Sequence, residues 1–493
     1  MNIVIIGSGF GGLAVALRCL SKGHKVTIFE KLKIPGGKAS WFEKDGYIFD
    51  FVPSIITAPW LLEELFKLFN KNTSGYYELV KLEQLFKLYF NNRNIFTYSE
   101  ENILREIKKF NLNDINGYKL FNKITDRIFL ETFSFLDNPF LTPGSILKTL
   151  PKYLKLKAYK PIYKFVSEFF QNEYLRIAFT IQPLYLLGAN PFRASCIYTF
   201  LYQLEKKWGA WYAKGGTNTI IKGLCKLFQE NGGKIYYNSE VTKILCKKKK
   251  GKPKAIGIKI NNKEKIEADV VICNSDISYT YRNLINKEYR KKYSDLKINS
   301  FKYGNSFFII YLGLKRKYDN IPQHAIIFNR LYHQFFEDVF IHYKVPEEFI
   351  LYIHRPTAIG ETVAPPNKDC MYILSPVPNL KSQTDWSNFG ERYKNLILEF
   401  LEYSYMPELR ENIETEFFIT PEDFKDKHNS FLGSAFLYEC TLFKSIYFRP
   451  HNKSEDIENL YFVGAGTHPG AGIPMVISSA KIVDRLIEKD FKK

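Results

Sequence analysis

Three glycines near the start of the chain have the spacing of a dinucleotide-binding turn. Gly7, Gly9 and Gly12 form the pattern GxGxxG between a β-branched segment, residues 2–6, and a segment of helical composition. The first glycine of such a turn permits a tight bend, the second lets the backbone approach a pyrophosphate, and the third lets helix and strand pack closely. The helix N-terminus then offers free N–H groups to the phosphates. We therefore predict a nucleotide site at this turn.

Residues further along favour FAD as the nucleotide. Glu30 ends the next predicted strand, where a carboxylate can accept hydrogen bonds from an adenosine ribose. Gly36 and Gly37 can bring the backbone against a diphosphate, and the ammonium group of Lys38 balances its charge. This second glycine motif, six residues after Glu30, favours FAD over NAD(P).

The carboxyl-terminal segment supplies a second part of the predicted site. A strand there runs into Gly464-Ala465-Gly466, and Gly472-Ile473-Pro474 opens the last helix. A helix N-terminus that faces the cofactor can hold the pyrimidine end of a flavin and favour negative charge on the reduced ring. The predicted FAD-binding residues are Gly7, Ser8, Gly9, Phe10, Gly11, Gly12, Glu30, Lys31, Gly36, Gly37, Lys38, Val241, Gly464, Ala465, Gly466, Gly472, Ile473, Pro474 and Met475.

Hydrophobic patterning predicts the elements that must position these residues. Strand, helix and strand alternate at the start, an aromatic-rich and largely helical region occupies 60–205, and strands return at 234–245, 254–272 and 306–314. With 493 residues, 45% of them hydrophobic and 16% aromatic, the chain can bury a large core and an apolar cavity. We expect an α/β fold of two or three domains.

Composition argues against several other classes. The 70 Lys and Arg residues exceed the 51 Asp and Glu residues, a net charge of +19, but no RNA-binding or zinc-finger signature accompanies this charge. Nucleic acid is therefore not an expected partner. The seven cysteines are widely spaced without CxxC pairs, and no metal-ligand cluster is predicted. A secretory leader is not expected, and no apolar run approaches the ~18 residues of a membrane-spanning helix.

Six segments resemble the bacterial phytoene desaturase family, within the FAD-dependent amine oxidase-like flavoproteins. Their order and spacing along essentially the whole chain make the resemblance strong. The segments are GANPFRASCIY (188–198), LEKKWGAWYAKGGTNTII (204–221), LYIHRPTA (351–358), VAPP (363–366), FLGSAFLYE (431–439) and NLYFVGAGTHPGAGIP (459–474).

The resemblance implies a Rossmann-type FAD-binding domain, an inserted substrate-binding α+β domain and a helical membrane-facing cap. It implies desaturation of phytoene, a C40 carotene precursor, to carotenes such as lycopene or neurosporene, with quinone or oxygen as electron acceptor. The protein would be cytoplasmic and peripheral at the inner face of the cell membrane. The expected boundaries are 1–75, 211–285 and 446–493 for the parts of the FAD-binding domain, 76–210 for the cap and substrate region, and 286–445 for the substrate-binding domain.

Three positions depart from the family pattern. Lys38 stands where arginine is common, whereas Val52 and Met475 stand where glycine is frequent. A lysine presents a point charge instead of a planar fork, and the two larger side chains would reshape the space beside a flavin. Substrate length and the number of desaturation steps therefore stay open.

Three residues are predicted to be catalytic. His354 and Arg355 end an apolar strand, where the histidine could take the proton lost beside the carbon that gives up hydride. His468 lies in the glycine-rich turn near the predicted flavin. The alternatives are a His-Arg pair that closes a strand end and a histidine that fixes a loop. We expect neither His354 nor Arg355 to be essential for folding.

A lysine-rich segment predicts contact with a membrane. Between Asp137 and Glu168 the chain has no acidic residue, and its lysines alternate with tyrosines and a phenylalanine. Such a stretch can place aromatic rings in an interface while ammonium groups meet anionic lipid. An ordinary basic face of a helical cap is the alternative. The lysines are Lys148, Lys152, Lys155, Lys157, Lys160 and Lys164.

Other functions would suit the same scaffold. A carotenoid isomerase, a hydroxycarotenoid desaturase and a C30 desaturase are related enzymes with this architecture. A non-catalytic binder of prenylated proteins, which also holds isoprenoid chains, has a related fold. A bound flavin that a carotene can reduce would separate the enzymes from the binder.

Overall fold

A parallel sheet brings together the two ends and the middle of the chain. The computed structural model describes residues 1–52, 54–91, 93–134, 136–248, 251–328, 332–360, 362–441 and 449–491, without the side chains of 143 and 145–148. The sheet has the order β10-β2-β1-β14-β20, and its neighbouring strands are parallel. These strands are β1 (Asn2–Ile6), β2 (Lys25–Phe29), β10 (Lys234–Tyr236), β14 (Val270–Cys273) and β20 (Leu460–Phe462). The predicted strand-helix-strand start is confirmed.

Three long helices pack together beside this sheet. They are α1 (Phe10–Ser21), α10 (Thr217–Glu230) and α16 (Ile473–Phe491), and α1 contacts both of the others. Gly12 allows α1 to lie close to β1, because a Cβ atom at this position would stand 2.1 Å from the carbonyl oxygen of Gly7. The third glycine of the predicted turn therefore has the packing role expected of it.

A seven-stranded sheet forms the second layer of the protein. Its order is β19-β15-β18-β17-β16-β7-β8. The strands are β7 (Phe86–Tyr89), β8 (Ile95–Tyr98), β15 (Ser306–Leu314), β16 (His324–Phe328), β17 (Ile350–His354), β18 (Asp369–Val377) and β19 (Ile413–Ile419). One face, with Ile310 and Met371, packs against α14 (Trp386–Ser404). The opposite face, with Tyr352 and Tyr372, borders a cavity.

The region between residues 60 and 205 is mainly helical, as predicted. Its helices are α2 (Trp60–Lys67), α3 (Ile103–Phe110), α4 (Asp114–Phe133), α5 (Pro143–Lys155), α6 (Ile162–Val166), α7 (Glu173–Ala178), α8 (Gln182–Leu187) and α9 (Phe200–Trp208). Three strands that the sequence did not predict interrupt it, namely β7, β8 and β6 (Leu79–Lys81). Long-range pairing decides their conformation, because β7 joins β16 at the edge of the large sheet.

Shorter elements complete the fold. The strands are β3 (Trp41–Lys44), β4 (Tyr47–Asp50), β5 (Ile56–Thr57), β9 (Ala210–Ala213), β11 (Val241–Lys247), β12 (Lys254–Ile260) and β13 (Glu264–Glu267). The helices are α11 (Ile277–Tyr279), α12 (Asp295–Asn299), α13 (Tyr332–Glu337) and α15 (Pro421–His428). The predicted strand 234–245 is divided into β10 and β11, and the predicted strand 254–272 into β12, β13 and β14, with Asn238 and Asn261 at positive φ in the turns. No helix among the described residues is long and apolar enough to cross a bilayer.

Candidate active site

A cavity of about 360 Å³ lies between the two main sheets. Its wall includes residues that follow β1, β2, β14 and β20 at their carboxyl ends, together with side chains from β17 and β18. The carboxyl ends of adjacent parallel strands are where open α/β sheets bind nucleotides. The cavity therefore joins the expected nucleotide-binding edge of one sheet to an aromatic face of the other.

The predicted cofactor residues converge on this cavity from both ends of the chain. All of them lie in its wall except Ser8 and Gly12. Ser8 lies behind the wall, where its backbone N–H and its hydroxyl group both donate to Glu30 Oε2, at 2.8 and 2.7 Å. Ser8 therefore holds the Glu30 carboxylate in place, and Gly12 lets α1 lie close to β1.

The two amino-terminal glycine turns lie side by side. Gly9 forms a parallel bridge with Gly36, and the N–H of Gly36 donates to the carbonyl oxygen of Ser8 at 3.1 Å. Gly36 has φ 109°, and a Cβ atom there would stand 2.8 Å from the carbonyl oxygen of Ala39. Only glycine suits both the conformation and the space. The turns therefore leave bare backbone facing the cavity.

Two helices begin at the cavity wall. Phe10 and Gly11 in the first turn of α1, and Ile473 and Pro474 in the first turn of α16, all line it. Neither helix has an acidic residue in its first turn. The partial positive charges of the two N-termini therefore act on the same space, and no acidic residue of either first turn offsets them. This arrangement suits a ligand that carries a diphosphate and a ring able to hold negative charge.

Glu30 is fixed in the wall at the end of β2. Its Oε2 atom accepts the two hydrogen bonds from Ser8, and Oε1 accepts the backbone N–H of Leu32 at 2.9 Å. A carboxylate has about four acceptor positions, so three bonds fix its orientation and leave capacity for a hydroxyl donor. The predicted contact with a ribose is consistent with this geometry.

The two predicted lysines are bound to protein atoms. Lys38 Nζ donates to the carbonyl oxygen of Ala435 at 2.7 Å, and Lys31 Nζ donates to Asn429 Oδ1 at 2.9 Å. Burial lowers the pKa of Lys38 to about 8, although the nearby carboxylate of Asp276 acts in the opposite direction. A diphosphate would favour the charged form of Lys38, because an opposite charge offsets desolvation. Lys38 therefore suits the predicted role of neutralising a buried anion.

Asn274 is a site residue that the sequence interpretation missed. It follows β14 directly, and its backbone N–H donates to the carbonyl oxygen of Ile6 at 2.9 Å. Its side chain lies between two glycine turns. A Cβ atom built on Gly9 would lie 3.0 Å from Asn274 Nδ2, and a Cβ atom built on Gly464 would lie 2.9 Å from Asn274 Oδ1. A polar residue straight after a buried parallel strand was the available signal.

The three predicted catalytic residues do not lie in the wall of this cavity. His354 borders a separate pocket of about 10 Å³ together with Asp50. Burial lowers the pKa of His354 to about 3, so the imidazole is neutral. His468 lines another small cavity of about 40 Å³, where its ring packs edge-on against Phe140. The sequence predicted that the strand end would present His354 and Arg355 at a cavity wall and that His468 would lie near the flavin, but none of the three is among the described residues of the main cavity wall.

Arg355 is enclosed in hydrogen bonds beneath the sheet. Its Nε atom lies 2.8 and 2.9 Å from the carboxylate oxygens of Asp369, and Nη1 donates to the carbonyl oxygen of Ile321 at 2.8 Å. Both members of the Arg355–Asp369 pair are almost fully buried. These contacts favour a structural role for Arg355, the alternative of a His-Arg pair that closes a strand end, over a catalytic one.

Comparisons with known proteins agree with the geometry of the site. A family described as flavin containing amine oxidoreductase matches residues 10–330. The lycopene-forming phytoene desaturase of Pantoea ananas is 36% identical over 490 residues, 99% of both chains. The neurosporene-forming phytoene desaturase of Rhodobacter capsulatus is 34% identical over 98% of this chain and 93% of its own. A solved oxidoreductase from Methanosarcina mazei, 16% identical, matches with a TM-score of 0.67 over 98% of this chain and 100% of its own.

The fold and the converging glycine turns define an FAD-dependent oxidoreductase with the amine oxidase type of FAD-binding fold. Within that class, the chain belongs to the bacterial carotenoid desaturase family. The predicted family, cofactor and class of enzyme are confirmed.

Proposed function

We propose that the protein desaturates phytoene to more conjugated carotenes such as lycopene or neurosporene. The observation that carries this proposal is the continuity of the cavity, whose wall runs from the nucleotide-binding turns to aromatic and aliphatic side chains. When bound, FAD supplies the oxidising power by accepting hydride. A quinone or oxygen then serves as the terminal electron acceptor. Relatives named as phytoene desaturases, at 36% and 34% identity over nearly the whole chain, support the choice of substrate.

The aromatic part of the wall suits a hydrocarbon chain. Phe86, Tyr185, Leu201, Phe307 and Leu374 lie there, on elements that belong to the large sheet and to α8 and α9. Such side chains exclude water and offer dispersion contacts along a polyene without specific polar bonds. The protein contributes mainly alignment, because holding an allylic CH₂ group near an oxidant converts a bimolecular step into an effectively unimolecular one.

The domain organisation is part of the proposal. We assign 1–75, 211–285 and 446–493 to the FAD-binding domain, whose parallel sheet takes strands from all three segments. We assign 286–445 to substrate binding. The hairpin β7-β8 pairs with this second sheet, so a part of 76–210 contributes to substrate binding as well.

The surface around α5 supports docking to the inner face of the cell membrane. Leu150, Leu154 and Tyr159 are 45%, 57% and 59% exposed, and Lys152 and Lys155 lie among them in the chain. Exposed leucines beside lysines can enter the interface while the ammonium groups meet anionic headgroups. The side chain of Lys148, another residue of the predicted basic segment, lies outside the described part of the structure.

Ion pairs of three lysines in the basic segment reduce the electrostatic contribution to membrane docking that the sequence predicted. Lys157 and Lys160 both pair with Glu168, and Lys152 lies 3.1 Å from a carboxylate oxygen of Glu131. Exposed pairs of this kind are weak, so anionic lipid can compete for the same ammonium groups. We therefore give the exposed apolar side chains a larger part in docking than the charges.

The helix that carries the exposed leucines also faces the interior. Tyr153 is buried and lines the cavity of about 40 Å³, which shares Leu187, Ala471 and Met475 with the wall of the main cavity. A substrate that leaves the bilayer at α5 would thus have a short apolar path to the site. Transfer of a hydrocarbon from lipid to water costs ~0.8 kcal/mol of free energy per CH₂ group. A C40 substrate therefore favours direct uptake from the bilayer.

The double variant Leu150→Glu/Leu154→Glu tests this docking surface. We expect it to sediment with anionic liposomes at least tenfold less than the wild type, because two exposed leucines no longer enter the interface. Bound FAD should be unchanged. Leu296→Glu, at an 84% exposed leucine of α12, is the matched control and should bind liposomes normally. Equal sedimentation of the double variant and the control would assign α5 to a solvent-exposed face.

Expression in a host that accumulates phytoene tests the function itself. We expect chromatography of the pigments to show lycopene, neurosporene or a related carotene with more conjugated double bonds. A parallel host that accumulates a C30 precursor measures the alternative substrate. Products in the C30 host alone would overturn the C40 assignment, and a purified protein that stays colourless after FAD reconstitution would favour a non-catalytic binder.

A further inference from the structure

A chain of hydrogen-bonded hydroxyl groups borders the cavity opposite the glycine turns. The hydroxyl group of Tyr372 donates to the carbonyl oxygen of Val52 at 2.7 Å, and its oxygen lies 3.1 Å from Ser54 Oγ. Ser54 Oγ is 2.9 Å from the hydroxyl oxygen of Tyr352, which is 2.8 Å from His324 Nδ1. Val52, Ser54, Tyr352 and Tyr372 all line the cavity, whereas His324 lies behind Tyr352.

One arrangement of the protons in this chain leads to His324. Each hydroxyl group carries one proton. Because the carbonyl oxygen of Val52 takes the proton of Tyr372, Ser54 can donate its own proton to Tyr352, and Tyr352 can then donate to Nδ1 of His324 in the Nε2–H tautomer. The chain therefore ends at an imine nitrogen, the atom of a neutral imidazole that can accept a proton.

Strand pairing holds His324 in place. In the antiparallel pair β16-β17, His324 stands opposite His354, and the two rings stack with centroids 4.8 Å apart. Burial lowers the pKa of both imidazoles below the ordinary value of a histidine, so both are neutral. Phe86 packs edge-on against the ring of His324 with a centroid distance of 6.0 Å. The base is thus fixed in an apolar setting where its only route to the cavity, through the described contacts, is the hydroxyl group of Tyr352.

We propose that Tyr352 and His324 together accept the proton that the substrate loses during desaturation. This inference rests on the proposed function. With oxidised FAD bound, one allylic C–H bond would break and the cofactor would accept the hydrogen as hydride. A C–H bond of the neighbouring carbon then gives its proton to the hydroxyl oxygen of Tyr352, as the proton of that hydroxyl group moves to His324 Nδ1. The electron pair of the second C–H bond becomes the new C=C bond.

A weak base is sufficient for this step. A proton next to a carbon that is losing hydride is strongly acidic, so a neutral imidazole can remove it. The low basicity of a buried imidazole also favours release of the proton before the next turnover. Tyr352 itself stays neutral, because burial raises its pKa well above the ordinary value. The hydroxyl group therefore transmits a proton without forming a phenolate.

His428 lies in the described wall of the cavity itself, but its surroundings are less suitable for a base than those of His324. Its ring packs on Phe51 with a centroid distance of 4.4 Å. Besides burial, the positive charges of Lys38, Lys427 and Lys31 lower the pKa of His428. A proton on His428 would be repelled by these lysines, whereas a proton on His324 faces a neutral imidazole. The comparison favours His324.

His354, which the sequence pointed to as a base, becomes a positioning residue in this arrangement. It contacts His324 by stacking and does not line the main cavity. Its ring also lies 5.1 Å from that of Tyr372, so it packs between the two ends of the hydrogen-bonded chain. A substitution at His354 would act through the orientation of its neighbours.

Anaerobic flavin reduction by phytoene in liposomes tests the proposal. We expect Tyr352→Phe and His324→Asn each to slow reduction by about a hundredfold, within the range of general-base catalysis. The asparagine can still accept a hydrogen bond from Tyr352 but cannot take its proton. Wild-type reduction should be slower in D₂O, and this solvent isotope effect should disappear in Tyr352→Phe. FAD content and cosedimentation of phytoene with the protein should match the wild type.

Tyr393→Phe is the matched control, since the buried Tyr393 of α14 lies 2.9 Å from Ser375 Oγ on the opposite face of the same sheet and is not among the described residues of the cavity wall. We expect it to reduce at nearly the wild-type rate. A wild-type rate in His324→Asn, or an equal loss in Tyr393→Phe and Tyr352→Phe, would overturn the relay while leaving the function intact. A wild-type protein whose flavin phytoene cannot reduce would overturn the proposed function and the relay with it.

Discussion

Replacing Gly9 with valine is expected to give a folded protein that retains no FAD. Gly9 has φ −70° and ψ 176°, a conformation that any residue adopts, so the substitution does not strain the backbone. A Cβ atom there would meet Asn274 Nδ2 at 3.0 Å and the carbonyl oxygen of Gly36 at 3.5 Å, which are the edges of the two neighbouring turns. The remaining space around Gly9 is the cavity itself. A valine side chain would therefore occupy the volume where backbone and diphosphate must approach each other.

The measurement is the ratio of flavin to protein absorbance after reconstitution with excess FAD, together with circular dichroism as a check on folding. Gly360→Val is a suitable control, because a Cβ atom at this exposed position meets no described atom within 4 Å. Gly9→Ala should retain an intermediate amount of flavin. Normal flavin content in Gly9→Val would show that the cofactor lies elsewhere in the cavity or binds in another orientation.

The nucleotide half of the site was predictable because its requirements are local. A positive φ at Gly36, a carboxylate at the end of a strand and a glycine where a helix meets a strand each appear as one residue type at one position. The sequence therefore predicted the turns at both ends of the chain. Their convergence on one cavity follows from the parallel sheet, whose strands come from three separate segments.

The substrate half could not be predicted in the same way. Tyr352 and His324 are 28 positions apart in the chain, and they meet because β16 pairs with β17 in one particular register. A shift of one residue would turn His324 to the opposite face of the sheet. The sequence shows an apolar strand that ends in a histidine, and this pattern pointed to His354. It does not show which neighbouring strand supplies the partner.

Replacing Arg355 with alanine is expected to destabilise the protein by about 3–5 kcal/mol, the usual cost of leaving a buried charge without its partner. Arg355 Nε lies 2.8 Å from Asp369 Oδ2, and the side chain of Asp369 has no exposed surface. Among the described contacts, Asp369 keeps two neutral donors after the substitution, the backbone N–H of Tyr318 and the hydroxyl group of Thr357. Two neutral hydrogen bonds do not replace a guanidinium group.

Urea unfolding, followed by circular dichroism and by release of flavin fluorescence, measures this effect. Arg316→Ala is the matched control, since Arg316 pairs with Glu408 on the surface and an exposed pair contributes about 0–1 kcal/mol. The double variant Arg355→Met/Asp369→Leu should recover part of the lost stability, because removing both charges also removes the cost of burying either one.

The same experiment separates a structural from a catalytic role for Arg355. Asp369, the partner of Arg355, is the first residue of β18, and Tyr372 lies three positions later on the same strand. Loss of the ion pair should therefore disturb the hydrogen-bonded hydroxyl groups that line the cavity. We therefore expect slower flavin reduction in Arg355→Ala as a consequence of its lower stability. The double variant should recover part of the stability and part of the reduction rate. A variant that unfolds at the wild-type urea concentration but reduces its flavin slowly would contradict this account. It would give Arg355 a direct part in the reaction, as the sequence first indicated.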